Sequence, residues 1–225
     1  MNIKIIIYIN CLLFLIMPLI GETISSNQEI NQIHDYWFGK IESPEDLNHE
    51  KMRLWFSGHP NVDQEIKEKF GSLVQSALDG HLDHWKESPK GRLALIILID
   101  QFTRNIFRGT PEAFAFDWIA QEIVLEGLEK NVDFELFPIE RVFFYLPLEH
   151  AEDLEIQKLS IEKFAELIQD APLSLKEDFE GFYGYALKHF VVIEKFNRFP
   201  HRNVILGRES SLEEIEFLKG PNSSF

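Results

Sequence analysis

Residues 91–109 read GRLALIILIDQFTRNIFRG. Leu93 to Ile99 is an unbroken apolar run, and the polar residues that follow it recur at helical spacing. A helix that is apolar all round has no face to give to water, so it belongs at the centre of a helical bundle. Ser88-Pro89 just upstream and Thr110-Pro111 just downstream each pair an N-capping side chain with proline at a first helical position. They predict two helix starts. The second helix packs back antiparallel after the short RGTP turn.

Outward from this centre the same periodicity continues. In SNQEINQIHDYWFG, Ile30, Ile33, Tyr36 and Trp37 share a face, and Gly39 supplies a stop. Residues 40–60 read as a loop with a short helical piece around Glu50 to Phe56. Ile66, Phe70, Leu73, Val74, Ala77 and Leu78 repeat at spacings of three and four. After Pro138 comes a short helix, then a break at Pro147 and a longer helix from about Ala151. The helix that follows ends before Pro200, which disfavours helical geometry in Phe199. Ser210 and Glu213 have capping-box spacing for the last helix. RNVILG is the one short strand candidate. The expectation is an all-α fold of helix pairs with short turns, one domain over residues 27–225.

The N-terminus is different material. MNIKIIIYINCLLFLIMPLIG carries Lys4 ahead of a mostly apolar run from Ile5 to Ile20. As a helix that run spans roughly 24 Å at about 1.5 Å per residue, short of the roughly 30 Å of a bilayer's hydrocarbon core. Residues 1–25 read as a signal peptide cut near Gly21 or Ser25, or as a membrane anchor if uncleaved. Cleavage implies an exported, periplasmic or secreted protein. Retention implies membrane anchoring, and a segment that is no signal leaves the protein cytoplasmic. Cys11, the only cysteine, lies inside this segment, so a cleaved chain has no disulfide and no thiolate ligand.

The formal net charge is −15, with the acids spread along the chain. Such a balance argues against nucleic acid as a partner, since polyanion binding needs a basic face. The eight arginines are not spread. Five lie in two segments, at 104–108 and 198–208. A planar guanidinium suits fixed, bidentate contacts with carboxylate or phosphate. If the two segments meet, Asp100, Gln101, Arg104, Asn105, Arg108, Arg198, His201, Arg202, Asn203 and Arg208 form one ligand-binding place. Its arginines outnumber the obvious acids nearby, Asp100, Glu140 and Glu149, and a small external anion or an acidic peptide or protein would satisfy the surplus. The alternative is an internal Asp–Arg network that locks helix ends together.

Glu149, His150 and His189 are the candidates for acid–base chemistry. His189 sits in an aromatic stripe at helical spacing, where a hydrogen-bonded core role competes. His81, Asp83 and His84 read as an exposed helix face. No metal-ligand spacing, nucleophile elbow, phosphate loop or HExxH pattern occurs, so no metal and no cofactor is expected.

GRLALIILIDQFTRNIFRGTPEAFAFD, YLPLEHAED and FNRFPHRNVILGRESSLEEIEFL, with DYWFG and GHLDHW ahead of them, resemble the bacterial domain of unknown function 924 family. The resemblance runs from about Ile30 to Phe225. It implies antiparallel helix pairs in a compact bundle or right-handed, tetratricopeptide-like solenoid, and it implies no activity. Thr103 stands where this family more often has proline, which bears on the local helix bend. Three functions follow as expectations: a binding or scaffold protein that recognises an anion, an enzyme acting on a small anionic substrate, or arginine clusters that are purely structural.

Overall fold

The structure, a computed structural model, describes residues 26–56, 58–221 and 223–224. Helices carry the regular structure, and no strand occurs among the described residues. In chain order they are α1 (26–37), α2 (His49–Phe56), α3 (Pro60–Leu78) and α4 (Pro89–Ile96). A π-helical turn (Ile97–Phe102) runs on from α4 into α5 (Thr103–Ile106). Then come α6 (Asp117–Glu129), α7 (Pro138–Glu149), α8 (Leu154–Asp170), α9 (Lys176–Phe196) and α10 (Leu212–Phe217). RNVILG forms turns, not a strand. The segment read as a signal peptide or anchor lies outside the described residues, and no described helix is long and apolar enough to cross a membrane.

Ser88 starts the central helix as its sequence predicts. Its hydroxyl accepts the Gly91 N–H at 3.1 Å, with Pro89 in the first position. Gly91 to Phe102 is buried throughout. A helix without a polar face must be enclosed, and α3, α6 and α7 pack around α4 and the π turn. α7 is the second enclosed helix, buried along its whole length. The α6–α4 approach depends on Gly127. A Cβ there would stand 2.7 Å from Phe144 Cζ and 2.9 Å from Arg92 Cδ. α7, α8 and α9 pack in sequence on the far side. A small satellite core of Val192, Ile193 and Phe199, with Leu154, Phe196 and Phe217 beside it, fixes the C-terminal segment.

Several boundaries differ from the sequence reading. Thr110-Pro111 opens only a 3-10 turn (Pro111–Ala113), and α6 begins at Asp117. The Thr110 hydroxyl donates back to the Phe107 carbonyl and caps nothing. Pro147 does not break α7, because only Leu148 and Glu149 follow it and packing holds that last turn. The final capping box uses Ser211 and Glu214, one residue later than the spacing of Ser210 and Glu213 suggested. The stop at Gly39 holds, with φ +74° and its N–H bonded to the Asp35 carbonyl.

Candidate functional site

The central helix ends in the π turn, and the turn explains why polar groups sit at the core. A π turn adds a residue to the helical circuit and re-aims the side chains after it, and such turns recur at functional sites. Here the Thr103 hydroxyl donates to the Ile99 carbonyl at 2.6 Å and secures the turn's end. Asp100 and Gln101 are thereby held in the interior.

Asp100 is fully buried and has three partners. Gln101 Nε2 donates to Oδ2. His150 Nδ1 lies 2.7 Å from Oδ1, and Arg104 Nη2 donates to the same oxygen at 3.2 Å. Burial pushes the Asp100 carboxyl up, but His150 and Arg104 outweigh it and hold it well below the usual carboxylate range. An ionised carboxylate only accepts, so His150 carries its proton on Nδ1 and turns Nε2 the other way. Burial lowers the His150 pKa, Arg104 lowers it further, and Asp100 opposes both without prevailing.

Asp117, the first residue of α6, ties the two arginine segments together. Arg104 Nη2 donates to its Oδ1 at 3.0 Å and Arg202 Nη1 to its Oδ2 at 3.2 Å. Arg104 Nη1 also donates to the Ala113 carbonyl at 3.0 Å. Arg202 is 5% exposed. Its guanidinium lies between the rings of Phe199 (4.4 Å) and Phe114 (4.6 Å). Its Nε is buried without a hydrogen-bond partner. Burial, and next the charge of Arg104, pull the Arg202 pKa down to about 10.

A second acid–histidine pair stands beside the first. His189 Nδ1 is 3.0 Å from Glu149 Oε1 and 2.9 Å from the Tyr185 carbonyl. The His150 and His189 rings are 6.2 Å apart, and His189 packs edge-on to Phe199. His201 also tilts against Phe199, with ring centroids 5.7 Å apart. Burial, then Arg202 and His189, lower its pKa to about 3.

The structure therefore brings together Asp100, Gln101, Arg104, Glu149, His150, His189, His201 and Arg202. The other expected residues go elsewhere. α5 ends at Ile106, so Arg108 leaves the Asp100–Arg104 stripe. It forks onto Asp63 of α3 at 2.6 and 2.9 Å, and Asn105 donates to the same carboxylate. Arg198 forks onto Glu214 of α10 at 2.6 and 2.8 Å. Arg208 forks onto Glu152 at 2.6 and 2.9 Å and donates to Asn203 Oδ1. Asn203 in turn donates to Ser210, and Glu152 also accepts the Phe199 N–H. Glu140 is engaged on other partners. It accepts the Phe137 N–H and faces His34. His84 lies at the surface against Ser26.

The surplus of guanidinium charge suggested by the sequence is therefore not what the fold holds. Arg108, Arg198 and Arg208 each own a carboxylate, and Arg104 and Arg202 face Asp100 and Asp117. Sequence reasoning missed Asp117, Asp63, Glu152 and Glu214. No local spacing links Asp117 to Arg202, 85 residues away, or Asp63 to Arg108. Phe114 and Asp117, three apart in FAFDW, form the nearest thing to a signal. Among the described residues no group of His, Cys, Asp and Glu is arranged to hold a metal ion.

Comparison with known proteins agrees with this picture of the fold. The model of a bacterial protein family of unknown function, DUF924, matches residues 33–222. No curated protein matches. Among solved structures, a protein of unknown function from Agrobacterium tumefaciens, ATU0120, is similar at a TM-score of 0.72 and 32% identity. The match covers 87% of this chain and 99% of that one. With nearly the whole described chain matched by the family model, this protein belongs to the bacterial DUF924 family.

Proposed function

We propose that the protein binds a small anion, a carboxylate or a phosphate, at the Arg104–Arg202 pair. The observation that carries this is the state of Arg202. Its guanidinium is buried between two rings, shares a single carboxylate with Arg104, and keeps an unbonded Nε. The free Nε is an N–H donor that the chain's own acids leave unused, and a guanidinium donor of this kind suits a carboxylate or phosphate oxygen. Arg108, Arg198 and Arg208 are structural in this reading, because each is spent on its own acid.

Calorimetric titration with sulfate, phosphate, acetate and succinate tests the proposal. Saturable binding that disappears in Arg202→Gln, with the variant still folded, supports it. Absence of saturable binding by all four ions overturns it and leaves the network as a clamp. The Asp100–His150 pair favours a second reading, in which the bound anion is a substrate and His150 Nε2 moves its proton. In that reading His150→Asn abolishes turnover while the protein stays folded. Export through residues 1–25 is proposed on their composition alone, and N-terminal sequencing of the mature protein decides it.

A further inference from the structure

We infer that an anion entering this site brings a proton with it, and that His150 receives that proton. The inference rests on the anion-binding reading above and comes from the charges already in place. Arg104 and Arg202 face two carboxylates, Asp100 and Asp117, which leaves no net positive charge to spend on a ligand. A third carboxylate, Glu149, sits beside His150 in sequence and holds His189. A buried site this balanced resists an added negative charge unless a positive one arrives with it.

His150 is placed to supply it. Its Nδ1 is engaged by Asp100, its side chain keeps 15% exposure, and its Nε2 has no hydrogen-bond partner among the described residues. The groups that face it are Asp100 from the π turn, Arg104 from α5, Asp117 from α6 and His189 from α9. Without a ligand, burial and Arg104 keep the ring neutral near pH 7. A bound anion offsets Arg104 and raises the His150 pKa, so affinity and protonation rise together. Between the free and bound pKa values, each unit of falling pH tightens binding about tenfold, the full linkage of one proton.

The test is titration of the whole protein with sulfate, whose charge is constant over this range. Calorimetry in two buffers of different ionisation heat counts the protons taken up. Uptake near one proton in the wild type and near zero in His150→Asn is the expected result. Asparagine keeps an N–H toward Asp100, so the variant preserves that contact, and its fold is checked by circular dichroism. Sulfate binding without proton uptake overturns this inference and leaves the anion reading standing. Uptake that persists in His150→Asn overturns the assignment to His150. No sulfate binding at all, in a folded wild type, removes the inference together with its anion.

Discussion

Replacing Asp117 by asparagine removes half the countercharge of one buried and one partly buried guanidinium at constant shape. Arg202 loses the charged partner of its Nη1 bond at 3.2 Å, and Arg104 keeps Asp100 and the Ala113 carbonyl. Breaking one side of a buried ion pair costs about 3–5 kcal/mol. The Arg104 side chain is still 19% exposed and partly screened, and the Arg202 side chain is 6% exposed, so the lower end applies. About 3 kcal/mol in a domain of this size lowers the melting temperature by about 6–12 °C. Thermal and urea unfolding at pH 7 measure it. The double variant Asp117→Asn with Arg202→Met removes the stranded cation along with its acid, and it should be more stable than Asp117→Asn alone. An Asp117→Asn protein within about 1 kcal/mol of wild type, or a double variant no better than the single, would refute the claim that Asp117 organises this site.

Three further outcomes are expected. Arg208→Ala should cost about 1–2 kcal/mol by losing a two-bond fork to Glu152 that is only partly exposed, while sulfate binding persists. Gly127→Ala should cost about 1–3 kcal/mol by overpacking against Phe144 and Arg92, read as a shift in urea midpoint at constant slope. Stability should fall as pH drops below about 6.5, ahead of the carboxylates. His201 has a folded pKa of about 3, so the unfolded chain binds its proton first and the contribution is complete only above the unfolded value. His201→Gln should flatten the decline between about pH 6.5 and 4.5, leaving the steeper loss below it, where Asp63, Asp100 and Glu152 protonate from lowered values.

The helices were legible because burial writes itself into spacing. The apolar run at Leu93–Ile99 announced its own enclosure, and Ser88-Pro89 and Gly39 act where they were read. Pro147 misled because proline's cost depends on how much helix follows, and here two residues do. Most of the site's residues were legible for a different reason. Arg104, Arg202, His150 and Asp100 are residue types rarely left inside an apolar setting without purpose. The pairing was not legible. Which acid meets which guanidinium depends on where helices end and cross, as when α5 stops at Ile106 and sends Arg108 to Asp63. The π turn was hidden too, since Ile97 to Ile99 continue the apolar run and the polar residues after them keep ordinary helical spacing.

The tie between Asp117 and Arg202 spans 85 positions, and Glu152 waits for Arg208 in the same way. During synthesis the chain emerges from its N-terminus at about 5–20 residues per second. Asp100, Arg104 and Asp117 can meet well before the last segment clears the ribosome. Until then the nascent bundle lacks Phe199, a member of the satellite core, and Asp117 has Arg104 but not Arg202. Premature termination before Phe199 would leave both contacts unmade for good, so intact protein and truncated fragments should separate sharply in their sensitivity to proteases.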